Sequence, residues 1–368
     1  MTIRFSVSAV ARHVSPPSSS THRSQQRRLG WLLAGGLTLA FGTAQADVAP
    51  SGSVVTADEH GASLTHIDLG SGTATRHAIG IAPHNVQLDA AGRYLMAVGE
   101  AVSDGHGHAH GEGHAHGDAP GKLKLFSPET PSATPLATIE VGSHPAHVVS
   151  DREGRFAFVT NAGDNSVSVV DLETRDRVAT ITTGEYPHGL RLSPDGQELY
   201  VANVLDGSVS VIDVDAREEV ARLPVGETPV QVGFTPDGKR LFVSLRDENR
   251  VAVIDTARRE VIERIEVGRL PIQVHATADG RYMLVANEGT EAEPDNRVSV
   301  IDLASLTVSA THEVGAGAHG ISVDDTGRFA FVTSLHDDSL SVIDLEAGSV
   351  VSRHDTGQGP NGVTWINR

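Results

Sequence analysis

The chain contains no cysteine. That absence excludes a disulfide framework, a thiolate metal site, a cysteine nucleophile and a thioether-attached c-type haem. Aromatic residues make up only 4% of the chain, and 29 basic side chains face 47 acidic ones, giving a formal net charge of −18. A strongly acidic surface repels polyanions, so no nucleic-acid partner is expected. Beyond one N-terminal run, no apolar stretch approaches the roughly 20 residues that cross a bilayer, and the chain does not read as an integral membrane protein. There is no G-x-S-x-G elbow, phosphate loop or H-E-x-x-H helix, so no catalytic residue is named and the enzyme reading stays open without a candidate. In contrast, glycine (38) and histidine (19) are abundant, and 39% apolar content is enough for a real core.

The N-terminus reads as an address. Arg4, Arg12, Arg23, Arg27 and Arg28 precede the apolar run 29–41 with no acid among them, and Ala44-Gln45-Ala46 follows. Basic region, short apolar core and small-x-small site form an export signal over residues 1–46, cut near Ala46. The expectation is a periplasmic or secreted protein, with a retained N-terminal anchor as the alternative.

Residues 47–368 repeat one phrase. VSVVD ends at Asp171, and VSVID, VAVID, VSVID and LSVID end at Asp213, Asp255, Asp302 and Asp344, at spacings of 42, 42, 47 and 42. LTHID ending at Asp68 is an earlier copy, and KLKLFS is a degenerate one with Ser127 in the aspartate's place. Pro83, Pro145, Pro187, Pro229, Pro271, Ala318 and Pro360 recur in register. Each unit reads as four short strands broken by Gly, Asp or Asn turns; for 184–225 they fall near 188–193, 198–202, 208–213 and 219–224. Four-strand units of about 42 residues predict an all-β fold, a seven-bladed β-propeller of four-stranded blades. The last unit stops after one strand, 362–367, while the mature N-terminus opens with strands at 53–57, 63–68 and 73–80. The two ends are therefore expected to share a blade and close the ring.

Phe158-Val159-Thr160-Asn161, Tyr200-Val201-Ala202-Asn203 and Leu284-Val285-Ala286-Asn287, each followed by the aspartate phrase, resemble the YVTN repeats of YncE-like exported propellers. The resemblance runs from about Ser53 to Asn367. It implies the fold; relatives in this broad group include binding proteins, lactonases, amine dehydrogenase heavy chains, the haem d1 domain and the propeller of nitrous oxide reductase, so it does not choose a function.

Function is sought where the repeat breaks. The insertion 101–121 carries His106, His108, His110, His114 and His116 among glycine, alanine and acids. Imidazole and carboxylate donors on a flexible chain suit borderline divalent metals, and the loop is similar in composition to those of zinc-handling periplasmic proteins. A solvated low-complexity loop is the plainer alternative. His60, His84, His144, His147, His188, His319 and His336 all fall on segments of one face, the face where the chain crosses between blades. Of these, His84, His147, His188 and His319 follow the repeat proline or its alanine substitute and approach the central axis. They are the candidate metal ligands, with His60, His144 and His336 as additional candidates and Glu59 and Glu100 as direct ligands or as groups fixing a tautomer. The alternative is a wet funnel whose imidazoles never converge. His66, His77, His275, His312 and His354 fall within strands and read as packed or edge residues.

The expected function is an exported, monomeric propeller binding a divalent transition metal. Zinc is the expected ion, copper or nickel its substitutes, with c-type haem excluded; a metal transporter or apo-metalloprotein is the expected partner. The competing expectations are a protein-interaction scaffold and an oxidoreductase-associated or lactonase-like enzyme.

Overall fold

The computed structural model describes residues 49–102, 120–129 and 132–367. Residues 1–46, read above as an export signal, and His106, His108, His110, His114 and His116 lie outside the described residues.

The repeated phrase is a strand buried on both faces. Ser166–Asp171, Ser208–Asp213 and Arg250–Asp255 are almost wholly buried, whereas the fourth strands, such as Glu218–Pro224, alternate exposed and half-buried. Near-continuous apolar runs mark strands covered on both sides; alternation marks an outer one. Within the phrase the buried serines are partnered from the preceding strand. Asn203 Nδ2 donates to Ser208 Oγ and Ser210 Oγ, both at 2.9 Å, and Asn161 repeats this with Ser166 and Ser168 at 3.0 Å. The phrase-ending aspartates cap turns: Asp171 Oδ1 accepts the amides of Glu173 and Thr174 at 2.9 Å. The -DG- turns place Gly196, Gly238 and Gly280 at φ between 70° and 81°, where a Cβ is strained.

Seven four-stranded antiparallel sheets result. The innermost strands, in ring order, are Ile81–Leu88, Pro145–Ser150, Pro187–Leu192, Pro229–Phe234, Pro271–Ala276, Ala318–Val323 and Pro360–Ile366. The blade built on Pro187–Leu192 continues as Glu198–Asn203, Ser208–Asp213 and Glu218–Pro224, within a residue of the strands expected from the repeat. Apolar clusters fill the space between blades: Tyr200, Val209 and Val211 of that blade pack on Val232, Leu241 and Val243 of the next.

The seventh sheet joins both ends of the chain. Pro360–Ile366 pairs with Ser53–Asp58, which pairs with Ser63–Asp68 and then Ala74–Ala78. Val54, Ile67 and Val363 of this sheet pack on Phe329, Phe331, Leu340 and Val342 of its neighbour. Because successive strands are antiparallel, the first-to-second turns lie on one end of the axis and the crossings between blades on the other. Among the described residues there are only two short 3-10 turns, Ala162–Asp164 and Arg246–Glu248, and no helix is long and apolar enough to cross a membrane.

Candidate functional site

The crossing end of the axis opens into a cavity of about 360 Å³ lined by Glu59, His60, His84, Glu100, His144, Tyr186 and His188. At its floor three consecutive blades each contribute an imidazole. His84 and His188 occupy the place just after the repeat proline, and His147 stands one residue further along its strand. One nitrogen from each lies within 4.8 Å of the others. The ring pairs meet edge to face, with centroids 4.9 to 5.7 Å apart.

The hydrogen-bond partners fix two tautomers. His84 Nδ1 lies 3.2 Å from both oxygens of Glu59, a carboxylate that can only accept, so Nδ1 carries the hydrogen. His188 Nδ1 faces the carbonyl of Val230 at 3.2 Å and carries its hydrogen for the same reason. In their neutral forms both Nε2 atoms are therefore lone pairs, and they face each other at 3.0 Å. His147 is 1% exposed, and neither of its ring nitrogens has a hydrogen-bond partner among the described residues. A buried polar group in that condition costs free energy, on the order of 1–3 kcal/mol.

Charge at the floor divides unevenly. Burial, with the neighbouring His188 and His84, holds His147 well below the usual imidazole value, and burial with the His84 charge holds His188 down at about 3. His84 behaves oppositely: burial lowers it, but the Glu59 charge and hydrogen bond outweigh burial and raise it. Glu59 in turn, pushed up by burial, is pulled down to about 2 by His84 and by the Asn361 amide, which donates to its Oε2 at 2.5 Å.

Of the four axial histidines expected to converge, three do. His319 stands apart because the closing blade separates it from His84; its Nδ1 faces the Asn361 carbonyl at 3.1 Å, and its Nε2 lies 3.9 Å from Glu288. Burial holds it at about 4. His60 and His144 line the mouth rather than the floor, His144 with Nδ1 2.8 Å from Glu100. His336 packs against Gly317 outside the cavity. Glu59 orients His84 from behind instead of facing the triad. Glu288, Tyr186 and the amide of Asn361 complete the surroundings; only their position beside the repeat proline or the YVTN-like asparagine could have marked them.

Residues 132–280 match the YNCE-like beta-propeller family. Over that stretch, about two fifths of its length, the chain is similar to the YncE-like β-propellers. Residues 236–361 also match the Cytochrome D1 heme domain. No curated protein matches it. Among solved structures it is similar to Kuenenia stuttgartiensis hydrazine synthase, at 22% identity and TM-score 0.65 over 77% of this chain and 89% of that one. A functionally unknown protein from Desulfotomaculum acetoxidans follows at 16% and 0.68 over 86% and 99%, and a putative 6-phosphogluconolactonase from Bacteroides fragilis at 14% and 0.67 over 86% and 98%. Likeness at these identities establishes the propeller.

These matches correct the cofactor expectation, which was zinc, with copper or nickel as substitutes and c-type haem excluded. Zinc gains no support, and a haem-domain family matches a third of the chain. The missing cysteines exclude only thioether attachment; a haem held by one axial imidazole needs none. The triad does not fit a haem iron held by two of its imidazoles. Two imidazoles sharing one would stand on opposite faces of the macrocycle, about 4 Å apart at two metal–nitrogen bonds of about 2 Å, whereas the Nε2 atoms are 3.0 Å apart.

Proposed function

We propose that this propeller binds a divalent transition-metal ion as cargo at His84, His147 and His188. The observation that carries the reading is the pair of opposed Nε2 lone pairs beside a buried His147 with both nitrogens unpartnered. A cation at the floor removes the repulsion and satisfies the third ring. Three imidazoles leave further coordination positions facing the cavity, through which an ion can enter and leave. Glu100, at the end of the strand that runs into 103–119, lines the same mouth, so a loop rich in histidine departs beside the opening. Weak capture on that loop followed by firmer holding at the floor suits a carrier that surrenders its ion to a transporter or apo-metalloprotein. With residues 1–46 read as an export signal, this exchange takes place outside the cytoplasm.

Cobalt(II), whose visible bands report nitrogen coordination, is the probe. Titration of the protein should show one tight equivalent with intense bands above weaker loop sites, and His147→Ala should remove the tight equivalent only. A tight band unchanged in His147→Ala would overturn the assignment. The second reading is haem, favoured by the haem-domain match over residues 236–361, a stretch that supplies none of the residues lining this cavity. Stoichiometric haem in protein isolated from its native host, surviving His147→Ala, would establish it instead.

A further inference from the structure

The opposite end of the axis holds a second, open cavity of about 440 Å³, lined by the inner strands and first-to-second turns of several blades. Its walls are apolar: Leu192, Pro194, Phe234, Val274, Val323 and Trp365 line it. Arg191, Gly233 and His275 also line it, each four residues after the repeat proline of its inner strand. Around the ring that position is Gln87, Val149, Arg191, Gly233, His275, Ser322 and Thr364. Arg191 is its only charged member, and at Gly233, between Arg191 and His275, a Cβ would stand 3.1 Å from the Val274 carbonyl oxygen.

Arg191 has five donors and spends one, from Nη1 to the carbonyl of Leu190 at 2.9 Å. No ion pair among the described residues includes it. Burial lowers it to about 10, which still leaves it charged at neutral pH. His275 beside it directs Nδ1 to the Ala276 carbonyl at 2.9 Å and is held neutral, at about 4, by burial and by the Arg191 charge. The cavity's two carboxylates are already engaged. Asp324 accepts the Phe329 amide at 2.9 Å and the Thr326 hydroxyl at 2.5 Å, and Asp325 accepts the Asn367 amide at 2.9 Å.

We infer that this cavity binds a small organic monocarboxylate, its carboxylate paired with the Arg191 guanidinium and its apolar body against Phe234, Val274 and Trp365. An unpaired guanidinium in an apolar cleft is the fork that a carboxylate fills with two parallel hydrogen bonds. The volume falls in the range of small-molecule pockets, about 300–1,000 Å³. Asp324 and Asp325 at the rim disfavour a multiply charged anion, so a single carboxylate fits better than a phosphate. The site lies toward the opposite end of the axis from the imidazole floor, near enough that the Arg191 charge adds to burial in keeping His147 neutral, and its binding of a carboxylate does not depend on the metal reading.

Trp365 lies in the cavity wall and is one of two tryptophans in the chain, the other being Trp31 within residues 1–46, so its fluorescence reads occupancy. Phenylacetate titrated into the protein should give a saturable change in the millimolar range or below. Neutral phenylacetamide and inorganic phosphate should each bind at least tenfold more weakly. Arg191→Met should weaken phenylacetate by about tenfold to a hundredfold, the worth of a charged hydrogen-bonded pair, and Arg191→Lys by less. No saturable change, or equal binding by phenylacetamide or by a folded Arg191→Met, overturns the proposal. If Arg191→Met does not fold, the acid-against-amide comparison on the unaltered protein decides.

Discussion

His84 Nε2 lies 3.0 Å from His188 Nε2, and each ring's other nitrogen is committed to an acceptor, Glu59 for the first and the Val230 carbonyl for the second. Two lone pairs at that separation require a cation between or beside them. With metal–nitrogen bonds of about 2.0–2.1 Å the spacing corresponds to an N–metal–N angle of about 95°. The alternative occupant is a proton on His84, which the Glu59 carboxylate favours. Proton and metal thus compete for one position, and the first two predictions follow from that competition.

Glu59→Gln removes the charge that fixes the His84 tautomer. Affinity for cobalt(II) at pH 8 should fall about 10- to 100-fold, as for other groups that orient a metal ligand from behind. Without the carboxylate, the His84 pKa should drop, so the pH at which binding is half lost should move down. A cobalt titration repeated across pH measures both; an affinity within twofold of the unaltered protein would remove Glu59 from the site.

Binding should release about one proton at about pH 5.5, where three rings at the free value of about 6.5 would release nearly three. His147 sits well below the usual imidazole value and His188 at about 3, so both are already neutral there. His84 alone is raised above 6.5. A raised pKa means more protonated ring at a given pH, so affinity is intact above it and declines as pH falls through it. Calorimetry of cobalt binding in buffers of different ionisation enthalpy counts the protons; a count near three would contradict the burial argument.

A sequence alone assigns every imidazole the free value of about 6.5 and so would place the loss of binding there for all ligands alike. That part was not legible because a pKa depends on which rings are desolvated together, and convergence depends on neighbours in the ring. His84, His147 and His188 come from consecutive blades; His319 follows the same alanine-or-proline marker but lies beyond the blade that carries Asn361. The ring and its inner strands were legible, since Pro187, Asn203 and Asp213 each recur with one structural duty. His275 was read as a packed strand residue, yet it lines the cavity around Arg191, because a strand pattern does not say which of its positions faces a channel.

Closure should make the N-terminal strand indispensable. Val54 is fully buried between Phe329, Phe331 and Val363, and its strand pairs on both sides. Val54→Asp places an unpaired charge there and should cost at least about 4 kcal/mol or prevent folding. Val220→Asp, on a fourth strand where Val220 is 48% exposed, should stay within about 0.5 kcal/mol. Urea unfolding of both variants tests this, and equal midpoints would mean that the shared blade adds little.

Asp58 takes the place that Asn161 and Asn203 hold in other blades. Its carboxylate accepts the hydroxyls of Thr56 at 2.7 Å, Ser63 at 2.9 Å and Thr65 at 2.6 Å. Burial nevertheless outweighs those bonds and raises its pKa above the ordinary 3.8. For an acid raised in the folded state, the ionised form opposes folding, and the penalty is present above the folded pKa and absent below the unfolded one. Asp58→Asn removes the charge, and its amide can donate to the Ser63 and Thr65 oxygens as Asn203 does to Ser208 and Ser210. The variant should therefore melt a few degrees higher at pH 7, and the gain should shrink as pH falls through the raised folded value and be gone below about 4. Thermal melts at both pH values measure it. A variant that melts lower at pH 7 would show that the three hydroxyl bonds to the carboxylate outweigh the cost of burying its charge.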